Sequence, residues 1–330
     1  MYKRIKQVYL GPACDVYEGQ LQEGNRVALK VVDLDFVRKP HDFRREVKIL
    51  RDLSDKKNPH IVPFIDAYKE PNGEDDVLVM PYYETDLVSL VQQSMKRKMK
   101  FNLEDPSKNK FQEQNTLDLD ACRKILFGLA EAVQFLHENH IIHRDIKPAN
   151  VFISDGFQPV LGDFGISYPV DTPPALEPWN EKVGDIATGW YKPPELCFGV
   201  TDYSYEVDLW LLGILVLYLY SKDGKPVNCV VDDDEREEMP ELNDFVLLRG
   251  LFKNFGTPTV TDQLSELYWA KMASEEYHFV KFRYDEYPRK AVKELLPRCR
   301  DADVKALFSG LTRYDNRVLL TEDALGKNGN

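Results

Sequence analysis

No two of the five cysteines stand at a metal or redox spacing, and five is an odd number. Cys14, Cys122, Cys197, Cys229 and Cys299 are scattered with no CxxC between them. That argues against a disulfide framework or a zinc site and fits a reducing compartment. Long apolar runs are missing too. The longest, Leu209 to Tyr220, is broken only by Gly213. It falls short of the ~20 residues a membrane span needs, so it reads as a buried core helix. The start, MYKRIKQVYL, has no apolar stretch of secretory-signal length. The expected location is the cytosol, the nucleus or both, with no membrane partner. Nor is there a basic excess: 43 Lys and Arg face 55 Asp and Glu, a net charge of −12. A nucleic-acid partner is therefore not expected. An acidic surface suits a basic protein partner, but mostly it favours solubility.

What is present is ordinary globular material, 43% hydrophobic and 30% charged, in 330 residues. That is enough for a packed core and for two domains. Residues 5–35 alternate β-rich runs with turn residues, as three strands joined by tight connections would. Residues 41–53, HDFRREVKILRDL, change to a helical period, with Phe43, Val47, Leu50 and Leu53 on one face. HIVPFIDAY and DDVLVMPYY then read as two more strands. Past Tyr83 helical patterns dominate, and residues 117–140 predict a long amphipathic helix. Gly128 inside it costs about 1 kcal/mol relative to alanine, so it marks a close approach. The stretch 94–116 is polar and begins basic, and 232–241 is an acidic run. Both read as solvated loops, with partner docking as the alternative.

The strongest signal is HRDIKPAN, His143 to Asn150. Asp163 follows in DFG, then PPE at Pro193 to Glu195 and DLW at Asp208 to Trp210. This order and spacing resemble the catalytic domain of eukaryotic protein kinases, across essentially the whole chain. The resemblance implies an α+β, bilobal protein kinase fold. A small five-stranded antiparallel sheet plus one helix would form the N-lobe over 1–83. A mainly helical C-lobe would fill 84–330, with an insert at about 94–116.

Phosphoryl transfer needs positioning and charge neutralisation more than covalent chemistry. Asp145 would orient, or accept the proton of, the substrate hydroxyl. Lys147 would stand near the γ-phosphate of ATP. Asn150 and Asp163 offer oxygen ligands to Mg²⁺, a hard cation that takes few protein ligands beside phosphates. Lys30, at the end of VALK, would hold the α- and β-phosphates, and Glu46 on the following helix would hold Lys30. The resemblance also implies an adenine pocket. Met80 would stand at its back, Pro81 and Tyr83 would bond the base through backbone groups, and Asp86 would reach the ribose. Val16 and Ala28 would form its roof and Phe152 its floor. It also implies a Glu195–Arg317 pair and an Asp208 that holds the catalytic loop.

Two segments depart from the family pattern. The glycine-rich loop is reduced to Gly11-Pro12-Ala13-Cys14-Asp15-Val16, one glycine in a loop two residues short. Pro12 removes a donor and Asp15 adds negative charge, so ATP would be held mainly by Lys30, Mg²⁺ and the hinge. In the activation segment, Thr188 stands where serine/threonine kinases keep a threonine against the catalytic Asp and Lys. Five residues earlier, where cyclin-dependent kinases are phosphorylated, stands Val183, which cannot take phosphate. Arg144 would then need another anion: Glu177, Glu181 or Asp185.

TGWYKPPELCFG resembles the cyclin-dependent kinases, yet HDFRREVKIL replaces their PSTAIRE-type helix. With the degenerate glycine loop and the insert, the chain looks like the single-subunit CDK-activating kinases of budding yeasts. That implies a monomer that phosphorylates the activation-segment threonine of cyclin-dependent kinases, without a cyclin and without its own activating phosphate. A CDK-like kinase with other substrates, and a pseudokinase scaffold, are the alternatives.

Overall fold

The computed structural model describes residues 2–21, 24–70, 73, 75–101, 110–187, 189–226, 243–277 and 279–317. The N-terminal lobe is one antiparallel sheet in the order β1-β2-β3-β5-β4. Its strands are β1 (Lys3–Leu10), β2 (Cys14–Gln20), β3 (Arg26–Asp33), β4 (Asp66–Lys69) and β5 (Asp75–Pro81). Side chains alternate across a strand. Val27, Leu29 and Val31 therefore join Val77 and Val79 in a small cluster on one face. Ala28, Lys30 and Val32 turn to the other, where Val32, Leu78 and Met80 belong to the main core.

Helix α1 (Phe43–Ser54) packs on that second face. Asp42 caps it by accepting from the Arg45 amide at 3.0 Å. Its buried stripe is Phe43, Glu46, Ile49, Leu50 and Leu53. The expected stripe is therefore rotated. Val47 sits at the margin, half-buried, and the carboxylate of Glu46 lies inside the apolar face, where Lys30 meets it.

The rest of the chain is mostly helical. After β6 (Thr85–Asp86) comes α2 (Leu87–Gln93), then a hairpin of β7 (Met95–Lys100) and β8 (Lys110–Asn115). A loop was expected there, and the basic run instead alternates as a strand. Helix α3 (Leu119–Glu138) carries the C-lobe core. A Cβ on Gly128 would fall 2.7 Å from Pro159 and 2.9 Å from the His60 ring, so this glycine admits the segment that crosses from the upper lobe. Short strands β9 (Ile141–Ile142), β10 (Val151–Ser154), β11 (Gln158–Leu161) and β12 (Tyr168–Pro169) frame the catalytic loops. Then come α4 (Pro194–Cys197), α5 (Glu206–Tyr220), α6 (Asp244–Phe255), α7 (Val292–Leu295) and α8 (Ala302–Leu311). As expected, α5 is the core helix, buried all round from Val207 to Tyr220. No helix among the described residues is long and apolar enough to cross a membrane. The acidic run 232–241 lies outside them.

Candidate active site

The cleft between the lobes begins with one ammonium and two carboxylates. β-sheet register sets Lys30 opposite Val16 on β2 and Leu78 on β5. Its Nζ lies 2.7 and 2.9 Å from the two Glu46 oxygens and 2.8 Å from Asp163 Oδ1. Burial opposes the charge on Lys30, but Asp163 and then Glu46 outweigh it and raise its pKa. Burial likewise opposes the charge on Asp163, and the Lys30 ammonium overcomes it, holding that carboxyl well below the usual range. Asp163 is bent into left-handed backbone, φ 58°.

A second centre lies below. The fully buried Asp208 accepts from the backbone amides of His143 and Arg144, both at 2.8 Å. That fixes the loop carrying Asp145. The Asp145 carboxylate meets Lys147 Nζ at 2.7 Å and Asn150 Nδ2 at 2.9 Å. Asn150 Nδ2 also donates to the Asp145 carbonyl at 2.8 Å. Its amide nitrogen is thus engaged, which leaves the oxygen side for a cation. His143 ties the two centres together. Its ring bonds the Gly162 carbonyl at 3.0 Å and meets Phe164 edge-on.

Among the described residues no cluster of three or more His, Cys, Asp or Glu side chains is built to hold a metal alone. Asn150 and Asp163 supply two oxygens. That donor set fits a hard divalent cation whose shell is completed by phosphate and water.

The residues expected at the nucleotide end fall on β2, β3, β5, β6 and β10, with Tyr83 between β5 and β6. Ala28 pairs with Met80 and Val27 with Pro81. Tyr83 stacks on Phe152, rings 5.3 Å apart and nearly parallel. The bulk of Phe152 is matched by Gly162, where a Cβ would fall 2.6 Å from the Phe152 ring. Asp86 faces Phe152 in register, and its Oδ1 caps α2 by accepting from the Ser89 amide at 2.6 Å. Over the phosphate end, β1 and β2 are joined by a tight turn in which the Gly11 amide donates to the Cys14 carbonyl at 3.0 Å. That donor is engaged within the turn. Burial pushes the Cys14 thiol up to about 11, against the pull of Lys30.

The activation segment between β12 and α4 is held by a buried ionic hub. Arg144 is fully buried and its guanidinium grips Glu177 with two bonds, 2.6 and 3.2 Å. Arg45, from α1, approaches the same carboxylate at 3.6 Å. Glu177 Oε1 accepts from the Val183 amide at 3.0 Å. The Tyr203 hydroxyl accepts from Arg144 at 2.9 Å and donates to the Val183 carbonyl at 2.7 Å. Burial opposes the charge of Glu177, but Arg144 wins and lowers its pKa. Beside it, Lys182 Nζ sits 3.8 Å from the Trp179 ring, with Tyr168 and Tyr203 at 5.3 and 5.2 Å. Burial pulls this lysine down to about 8. Lower still, Arg317 clamps Glu195 in a bidentate pair, one bond at 2.8 Å.

A profile of the protein kinase domain matches residues 2–305. The chain belongs to the protein kinase family. It is 33% identical over 265 residues to the serine/threonine-protein kinase CAK1 of Saccharomyces cerevisiae, across 73% of this chain and 71% of that one. The serine/threonine-protein kinase csk1 of Schizosaccharomyces pombe is 27% identical over 316 residues, 95% and 89% of the two chains. Cyclin-dependent kinase 20 of Danio rerio is 29% identical over 287 residues, 84% and 67%. A solved structure described as the yeast RNA Pol II CTD kinase CTDK-1 complex matches with a TM-score of 0.72 at 23% identity, over 98% of this chain and 90% of that one. At that identity the likeness is one of fold. The curated relatives put this kinase with the serine/threonine enzymes of the CDK-like group, and a kinase domain implies use of ATP with a divalent metal.

The fold of this kinase brings Lys30, Glu46, Asp145, Lys147, Asn150 and Asp163 into one cleft. Val16 stands opposite Lys30 and Ala28 opposite Met80, Pro81 closes β5, and Tyr83 and Asp86 both meet Phe152. Thr188 lies outside the described residues. Of the three acids proposed for Arg144, the structure selects Glu177; Glu181 and Asp185 are exposed. Sequence reading passed over three residues. Arg45 is adjacent to Glu46 and reads as a solvated helix charge. Tyr203 carries no motif. His41 stands over Gly165, where a Cβ would fall 3.1 Å from its Nδ1.

Proposed function

We propose that this kinase transfers the γ-phosphoryl group of ATP to the activation-segment threonine of cyclin-dependent kinases, as a monomer with no cyclin and no phosphate on its own activation segment. The observation that carries this reading is the Glu177–Arg144 pair beside Val183. Kinases with an arginine before the catalytic aspartate commonly order the segment with a phosphate. Here a carboxylate already occupies the guanidinium, and Val183 offers no hydroxyl. The substrate class rests on the sequence resemblance to single-subunit CDK-activating kinases and is supported by the similarity to CAK1.

In this mechanism Lys30, fixed by Glu46, positions the α- and β-phosphates. Asn150 and Asp163 would hold Mg²⁺, which neutralises phosphate charge when bound. Asp145 orients the threonine hydroxyl and takes its proton, while Lys147 steadies the developing charge at the γ-phosphate. The lobes divide at residues 83/84, so the hinge contacts fall on the joint. The protein works in the cytosol, the nucleus or both.

The test is phosphate transfer from labelled ATP to a cyclin-free, catalytically dead cyclin-dependent kinase, beside the same substrate with its activation-segment threonine changed to alanine. Label on the first alone is expected. Label on neither, with a generic basic protein still phosphorylated, would contradict the substrate assignment and favour a CDK-like kinase of other targets. Asp145→Asn should abolish transfer, whereas a scaffold would be indifferent.

A further inference from the structure

The insert hairpin is divided into two unlike faces. Residues directly opposite across two strands share a face, and alternate residues share it along each strand. One face carries Met95, Arg97 and Met99 opposite Asn115, Glu113 and Phe111. It is self-contained. Arg97 lies 4.6 Å over the Phe111 ring, and the ribbon's one carboxylate, Glu113, pairs in register with Arg97. The other face carries Lys96 and Lys98 opposite Gln114 and Gln112, with Lys100 next along β7. Among the described side chains it holds three lysines and two amides, and no acid.

Three facts make that face unusual. The chain as a whole carries −12, so a patch with no carboxylate runs against its composition. Lys96, Lys98 and Lys100 repeat at alternate positions of one strand, like charges close enough to repel one another. Among the described residues, Lys96, Lys98 and Lys100 make no ion pair and are exposed. The ribbon is nonetheless firmly rooted. Asn115 is buried, its amide donates to the Lys222 carbonyl at 2.7 Å, and its side chain bonds the Leu219 and Ser221 carbonyls at 3.3 Å. Thr116 donates to the Ser94 carbonyl at 3.0 Å. A lone two-stranded ribbon is marginally stable in water, and this anchoring holds it out as a fixed arm. It springs from α2, whose cap Asp86 belongs to the nucleotide cleft.

We propose that the Lys96–Lys98–Lys100 face is a docking site for an extended acidic segment of a protein partner. Alternate lysines on a strand lie about 6.6 Å apart. An extended chain with carboxylates at alternate positions repeats at the same distance and meets each ammonium in turn. A long polyanion such as nucleic acid would have to pass the acidic body within a Debye length of about 10 Å, which favours a short acidic peptide instead. Docking on an arm anchored at Leu219, Ser221 and Lys222 tethers the partner to the kinase and lowers its KM without entering the chemistry.

The experiment uses the full chain and a fluorescein-labelled, Glu-rich decapeptide, read by fluorescence anisotropy. Binding is expected at about 50 mM salt and should be largely screened at about 300 mM. The triple variant Lys96→Gln, Lys98→Gln, Lys100→Gln should weaken it about tenfold, as three modest ion pairs would. Its activity toward a short neutral peptide should match wild type, which shows that the variant folds and separates this result from any failure of the substrate assignment. Equal binding by wild type and variant overturns the proposal. Tighter, lysine-dependent binding of a single-stranded oligonucleotide overturns it in favour of nucleic acid. Binding that appears only after the acidic residues of 232–241 are changed to serine also overturns it, and names the chain's own acidic run as the occupant.

Discussion

The turn over the nucleotide and the segment below it both depart from the kinase pattern, in opposite ways. The β1–β2 turn is a subtraction. It is short, Pro12 has no amide hydrogen, and the Gly11 donor is engaged with Cys14. The activation segment is a replacement, in which Glu177 sits where Arg144, Arg45 and the Val183 amide converge. On the proposed mechanism such a cover can be trimmed, because Lys30, the metal oxygens and the hinge would still hold the nucleotide. A hub cannot, because two guanidiniums without an anion are a buried liability. The lower frame therefore carries what the upper cover gave up.

The largest effect expected lies in that frame's chemistry. Asp145→Asn should lower kcat by about 10²–10⁴-fold, the range for losing a general base, with KM for ATP nearly unchanged. Next comes the hub. Glu177→Gln removes the anion from a buried pair and should lower the unfolding free energy by about 3–5 kcal/mol, read by urea titration, together with most of the activity. Glu177→Asp should recover part of both. A wild-type-like Glu177→Gln would break the comparison, since the hub would then be ornamental.

On the nucleotide side, Gly162→Ala should push Phe152 into the adenine site and cost about 1–3 kcal/mol of overpacking. It should be seen as a raised KM for ATP, and Phe152→Leu should relieve it. A raised KM that persists in the double variant would show that Gly162 serves the backbone rather than the ring.

The smallest effects are those of pH. Glu177 has a lowered pKa, so its contribution is present above the unfolded carboxylate value near ~4.3 and is lost as pH falls through the folded value. A phosphate in its place would change charge near pH ~6. The hub should accordingly keep its strength down to about pH 5, where a phosphate-based one weakens. Lys182 gives a slope of the same sign, in a higher pH window. Its pKa is pulled down to about 8, so between there and the unfolded value near ~10.4 the unfolded chain binds more protons and stability rises with pH. Denaturation of wild type against Lys182→Met, at rising pH, should show this gain in wild type only.

How much of this was legible in the sequence differs between the same two regions. HRDIKPAN and DFG carry their chemistry in fixed spacing, so Asp145, Lys147, Asn150 and Asp163 could be named outright. Glu46 was legible by motif, not by period: Phe43, Leu50 and Leu53 do share the buried face, but the stripe runs through Glu46 instead of Val47. In the activation segment, charge alone could not rank Glu177 over Glu181 and Asp185, because the choice depends on the path of the backbone between β12 and α4. No signal in the sequence marks Gly162, whose role depends on the Phe152 ring packed against it. The insert read as a loop because its polarity hid a two-residue alternation.

The most direct measurement takes the bacterially expressed chain, treats it with phosphatase and verifies by mass that the activation segment is unmodified. Initial rates on a cyclin-free cyclin-dependent kinase are then compared with those of Glu177→Gln prepared the same way. Full activity in the unmodified wild type and a collapse in Glu177→Gln is the predicted result. Activity that appears only once the segment carries phosphate, or that survives the loss of Glu177, would contradict the account.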